Sequence, residues 1–286
     1  MKKTTSILGL LLLSFCSAWA DLQRDQHVRY ELLSETPSIA PGTTFTIGLR
    51  ILHDEGWHTY WKQPGIAGIP TQLDWDLPDG FEASPIQWQQ PQTTKMAVYT
   101  VYGYEGEAIL LTEISAPDSL PVGPDVTLKT RITWMMCAKQ CVPSTTEAEI
   151  TLKTAANPSI DEKVKAELDK IRAGFPRPSD HWKGTAWLTE NMVTLRLATE
   201  EDDHSPPITP LSPPYFFCAD GVVHSDADQK VTKSGNSILE LTLERSRFAP
   251  EDPARLRGEV VLTSGSWDPD DPDFTSLAID VPLESR

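Results

Sequence analysis

Between residues 44 and 52 the chain alternates strictly, with Phe45, Ile47, Leu49 and Ile51 on one face and Thr46, Gly48 and Arg50 on the other. Period two over this length predicts a half-buried β-strand. Segments 28–33, 73–77, 107–114, 126–134 and 148–153 carry the same pattern, punctuated by turn signals at Pro41-Gly42 and Pro78-Asp79-Gly80. Between them, 56–65 is aromatic-rich and closes on Pro64-Gly65, which predicts rings used for packing. Residues 84–104 lack periodicity and predict an ordered loop. Strands at this spacing predict an antiparallel sandwich over residues 21–156.

The pattern changes at Asn157-Pro158. Ser159 and Glu162 have capping-box spacing, and Ile160, Val164, Leu168 and Ile171 recur as one apolar stripe that ends before Gly174. This predicts a helical connector over 157–178. From 179 to 286 short alternating runs return at 185–188, 192–197, 238–243 and 259–263. Pro206, Pro207, Pro210, Pro213 and Pro214 interrupt any regular element between them. The expected fold class is therefore mainly β, with two sandwich domains joined by a helical connector.

Residues 1–20 stand outside this scheme. Lys2-Lys3, an apolar run from Ile7 to Phe15 and Ala18-Trp19-Ala20 form the series of a cleaved secretory signal, with the mature chain expected to begin at Asp21. The apolar run is too short to span a bilayer, so no direct membrane insertion is expected after cleavage. Loss of Lys2 and Lys3 moves the net charge from −16 to −18, which argues against nucleic acid as a partner. The expected location is an oxidising, exported compartment.

In such a compartment the remaining cysteines, Cys137, Cys141 and Cys218, predict one bond between the near pair, Cys137 with Cys141. Cys218 is expected to be a buried, inert thiol. The spacing of Cys137 and Cys141 is not that of a thioredoxin motif, and the small ring it closes would constrain the unfolded chain little. Two readings of the pair stay open on composition: exchange chemistry, with Lys139 between the sulfurs favouring a thiolate, or a structural bond in a binding or scaffold module. A third is copper(I) handling by Met135, Met136, Cys137 and Cys141, with His58 nearby. No paired-histidine motif or second cysteine pair completes a metal site, and no cofactor motif is present, so none is expected.

Gly56-Trp57-His58-Thr59-Tyr60-Trp61-Lys62-Gln63-Pro64-Gly65, Leu77-Pro78-Asp79-Gly80-Phe81, Tyr102-Gly103-Tyr104-Glu105-Gly106-Glu107 and Trp134 to Pro143 follow one another along the chain. In that order they resemble the periplasmic amino-terminal region of the DsbD/ScsB thiol:disulfide interchange proteins. The likeness covers 21–152, with a weaker trace at 214–217. It implies an immunoglobulin-like domain in the periplasm. Its catalytic pair, by position Cys137 and Cys141, would take electrons from a membrane-embedded donor and pass them to periplasmic thiol-disulfide proteins, as a component of a protein-disulfide reductase. It also implies a covering loop over the disulfide, by position 93–104, with Tyr99, Tyr102 and Tyr104 as its aromatic candidates. In the full-length family the chain continues into a membrane domain and a thioredoxin-like domain. This chain ends at Arg286, so the expectation is that electrons come from a separate protein or that the domain no longer relays them.

Overall fold

The computed structural model describes residues 22–199, 213–235, 237–268 and 270–286. The expected signal segment, Cys16, Asp21 and Pro206, Pro207 and Pro210 lie outside the described residues.

The first half consists of β1 (Gln23–Asp25), β2 (Val28–Ser34), β3 (Ser38–Ile39), β4 (Thr44–His53), β5 (His58–Gly65), β6 (Gln72–Asp76), β7 (Glu82–Ala83), β8 (Gln92–Met96), β9 (Tyr99–Glu105), β10 (Glu107–Ser115), β11 (Asp125–Cys137) and β12 (Cys141–Thr154). They form a five-stranded sheet, β1-β2-β4-β10-β7, and a seven-stranded sheet, β3-β12-β11-β5-β9-β8 with β6 paired to β11. Phe45, Ile47, Leu49 and Ile51 belong to the same buried cluster as Leu128, Ile132, Trp134, Ile150 and Leu152 of the other sheet, so the alternation in the sequence does mark the inner faces.

The opposite face of β4 is not left to solvent. Helix α1 (Glu162–Ala173) lies across it, burying Val164 and Leu168 against Leu33, Ile109 and Leu111. Each polar-face residue of β4 meets the helix. Thr46 Oγ1 accepts a hydrogen bond from Arg172 (2.7 Å), and Arg50 is bonded to both Glu31 (2.6 Å) and Glu167. Gly48 lets the helix approach closely: a Cβ there would sit 3.1 Å from Ile109 Cγ2 and 3.2 Å from Leu168 Cδ2, so those side chains would have to give way by a few tenths of an ångström. The helix start differs from the expected capping box. Asp161 is the cap, accepting from the Lys163 and Val164 N–H groups (3.0 and 3.2 Å), while Ser159 N–H is bonded to Ser38 Oγ (2.8 Å). Because the chain before the helix is tied to β3 and to the Glu35 carbonyl, the helix cannot begin at Ser159, and Ile160 stays 52 % exposed.

Two stretches of the first half escape periodicity for one reason. Residues 56–65 contain β5, and 84–104 contain the β8–β9 hairpin where a loop is expected. His58 to Trp61 and Val101 to Tyr104 are buried on both faces, which erases the alternation that marks a one-sided strand.

The second half contains β13 (Trp182–Thr189), β14 (Met192–Thr199), β15 (Tyr215–Cys218), β16 (Lys230–Ser234), β17 (Ile238–Glu244), β18 (Arg255–Val261) and β19 (Ser276–Ser285), ordered β15-β18-β19-β13-β14-β17-β16. Strand β19 changes neighbour along its length, antiparallel to β18 through Pro282 and parallel to β13 from Leu283, and so lets one strand path fold into a second sandwich. The fold is mainly β with immunoglobulin-like sandwiches and one helix between them. The two halves touch directly. Trp61 and Tyr102 stand edge-on to Phe217 of β15, at ring distances of 6.3 and 5.0 Å.

Candidate redox site

Strands β11 and β12 pair in unbroken register from Asp125 opposite Lys153 to Cys137 opposite Cys141. Turning after Ala138-Lys139-Gln140, the hairpin brings the two cysteines face to face, with Cα atoms 4.1 Å apart and a disulfide between them. The inward face of β11 carries Leu128, Ile132, Trp134 and Met136 into the core, and Trp134 Nε1 donates to Asp25 Oδ2 (2.8 Å). The hairpin is therefore fixed along its length, and its tip presents the disulfide.

The two sulfurs sit in different surroundings. Cys137 is 0 % exposed, in a small apolar cluster with Tyr60 and Val101 against which Ile66, Ala67, Met96 and Met135 pack. Cys141 is exposed. Tyr60 lies between them in environment: its ring is buried, and its Oη is 3.9 Å from Cys141 Sγ. Burial pushes the Tyr60 phenol up to about 12, so it stays protonated and can donate to sulfur. Gly68 holds the ring in place. Its φ of +113° favours glycine, and a Cβ there would fall 2.3 Å from the Tyr60 ring.

His58 lies opposite Cys137 in the β5–β11 pairing. It is buried, stands edge-on to Tyr60 at 5.1 Å, and its Nε2 has no hydrogen-bond partner. Burial lowers its pKa against an opposing pull from Glu105, which favours the neutral ring. Lys139 is exposed on the hairpin loop. A cleft beside that loop is lined by Trp57, Lys95, Ala97, Ala138 and Lys139.

The three candidate covering tyrosines are dispersed. Tyr99 is at the β8–β9 turn and 44 % exposed. Tyr102 and Tyr104 are buried in the main core, Tyr102 among Trp61, Tyr215 and Phe217, and Tyr104 with its hydroxyl on the Gln89 carbonyl (2.7 Å). The residues of this hairpin that pack with Cys137 are Met96 and Val101. Among the soft ligands named for copper, Met136 is in the main core and Met135 packs beside Cys137. Among the described residues no group of three or more His, Cys, Asp or Glu side chains is arranged to hold a metal ion. Cys218 is buried in β15 and donates to Asp220 Oδ1 (3.0 Å). Burial, then the Asp220 carboxylate, pushes its thiol up to about 12.

Residues 30–153 match the family model described as thiol:disulfide interchange protein DsbD, N-terminal. Over this segment the chain is similar to the DsbD amino-terminal family. The likeness to solved structures extends further along the chain. The N-terminal periplasmic domain of ScsB from Proteus mirabilis covers 94 % of this chain and 99 % of its own at 16 % identity and a TM-score of 0.65, a likeness of fold. The yeast GGA1 GAE domain aligns over 44 % of this chain and 94 % of its own at 14 % identity, with a TM-score of 0.26 that carries no argument. Comparison with curated proteins gave no match. The DsbD-type segment contains the disulfide, Tyr60, Gly68 and the β8–β9 hairpin. Sequence reasoning reached the cysteines but missed Tyr60, Gly68 and Met96 as their neighbours. The only local signal was the aromatic cluster at 57–61, whose rings also serve the core.

Proposed function

We propose that this protein is an exported thiol:disulfide exchange module that relays electron pairs through Cys137 and Cys141, from a membrane-embedded donor to periplasmic thiol-disulfide proteins. The observation that carries the reading is the asymmetry of the pair: an exposed Cys141 bonded to a sealed Cys137. A donor thiolate attacks Cys141 Sγ, the Cys137–Cys141 bond breaks, and Cys137 leaves as a thiolate that takes up a proton. The donor's second thiolate attacks its own sulfur in the mixed disulfide, releasing Cys141 as a thiolate and leaving the donor oxidised. Delivery runs in the same geometry. Cys141 thiolate attacks a partner disulfide, one partner sulfur leaves as a thiol, and Cys137, deprotonated, displaces the other and restores the bond. Tyr60 is placed to donate to the Cys141 thiolate at both stages. The DsbD-type family model and the periplasmic ScsB relative support the compartment and the class of chemistry. No helix among the described residues is long and apolar enough to cross a membrane.

Trapping tests the relay. Cys137→Ser leaves the exposed sulfur without its resolving partner and is expected to accumulate disulfide-linked adducts in periplasmic extract. Cys141→Ser is expected to give few. Absence of adducts from Cys137→Ser, together with a reduction potential below about −300 mV, would make the bond a structural one.

A further inference from the structure

The apolar cover on Cys137 is built from two segments, the stretch after β5 (Ile66, Ala67) and the β8–β9 hairpin (Met96, Val101). Strands β5 and β9 pair at His58 to Tyr60, shift register, and pair last at Gly65 opposite Val101. The next antiparallel step would join Ile66 to Thr100. That step is taken instead by a turn from the second half of the chain. Ile66 N–H donates to Ser225 Oγ (2.9 Å), and Ser225 Oγ–H donates to the Thr100 carbonyl (2.9 Å), so one buried hydroxyl bridges the two segments where the ladder stops. The neighbouring Asp226 Oδ1 accepts the Thr100 N–H (2.6 Å), and that bond is the main reason its carboxyl lies below the usual range. Gly65 makes the insertion possible, since a Cβ there would lie 2.3 Å from Ser225 Oγ.

We propose that Ser225 and Asp226 are positioning residues for the disulfide: by splicing the second half into the β5–β9 ladder they hold the cover closed over Cys137 and limit how fast the pair is reduced. A thiolate leaving from Cys137 into a dry apolar shell is disfavoured, and reduction slows with the poorer leaving group. Releasing Thr100 and Ile66 frees Met96, Val101, Ile66 and Ala67 to move, which hydrates the departing sulfur. Sealing of Cys137 in this way does not depend on which proteins exchange with it.

The test is reduction of the oxidised protein by dithiothreitol, which becomes the cyclic disulfide as Cys137 and Cys141 become thiols, timed by acid quench and alkylation. No protein partner is involved, so the result is independent of whether the relay itself is found. Ser225→Ala with Asp226→Ala is expected to speed reduction about tenfold, the factor that net loss of one charge-assisted hydrogen bond allows. Asp226→Asn, whose amide oxygen can still accept from Thr100, is expected to stay near the wild-type rate. Thr275→Val removes a bond between the halves elsewhere, from Thr275 Oγ1 to Gln90 Oε1 (3.1 Å), and is expected to leave the rate unchanged. If the double variant does not fold, Asp226→Ala alone carries the comparison, with a rise of severalfold expected. An unchanged rate in the folded Asp226→Ala or double variant, or an equal acceleration by Thr275→Val, overturns the proposal.

Discussion

Replacing Tyr60 by phenylalanine deletes a single oxygen at the rim of the disulfide. That oxygen lies 3.9 Å from Cys141 Sγ, and the ring that carries it is fixed by Gly68 on one side and His58 on the other. With the phenol pushed up to about 12, the hydroxyl is a neutral donor throughout the range in which a thiol titrates. A hydrogen bond to a charged acceptor contributes about 1.5–3 kcal/mol at good geometry, and the long approach to sulfur puts this one near 1 kcal/mol. The bond favours the charged form, so its loss should raise the Cys141 pKa in the reduced protein by about 0.7 unit. Where Cys141 is a thiolate, the reduced state loses the same energy and the potential falls by about 20 mV. The alkylation rate of reduced protein against pH reads the first quantity, and equilibration with a glutathione buffer reads the second. Superimposable pH profiles for wild type and Tyr60→Phe would refute a role for the phenol at the sulfur. The two proteins should unfold at nearly the same urea concentration, because no buried partner is left without a bond.

The remaining expectations concern the frame around the site. Leu168→Ala removes the side chain that locks α1 onto Gly48 and should cost about 2–5 kcal/mol in urea unfolding; a loss well below 1 kcal/mol would mean the helix is not docked in solution. Glu259, buried in β18 and bonded to Ser276 Oγ (2.5 Å), has its carboxyl raised to about 7 chiefly by burial. The native state therefore binds more protons than the unfolded state between about pH 4.5 and 7, so this group's contribution to stability declines as pH rises through that window. The stability of wild type relative to Glu259→Gln should fall over the same interval, and a constant difference would contradict the raised value. Cys218, with its thiol pushed up to about 12, should resist iodoacetamide at pH 8 in the folded, oxidised protein and react on unfolding, as mass spectrometry would read.

The strand pattern at 44–52, the helix and the bonded cysteine pair are legible in the sequence because each is a local property: a period of two, a period near 3.6, a short spacing in an oxidising setting. Where a strand is covered on both faces, as β5 and β9 are, the period disappears, and the part of 84–104 from Gln92 onward looks like a loop although it folds as a hairpin. The cap of α1 falls at Asp161 and not Ser159 because Ser38 and Glu35, far back in the chain, hold the residues before it.

By itself, then, the sequence determined a mainly β chain with one helix, and the two cysteines that a DsbD-type domain would use. Only the tertiary structure decided which sulfur is exposed and what seals the other. Tyr60 meets Cys141 across a sequence separation of 81 residues, and Thr100 meets Asp226 across 126. Such contacts are set by how sheets stack and where ladders stop, and no local periodicity records them.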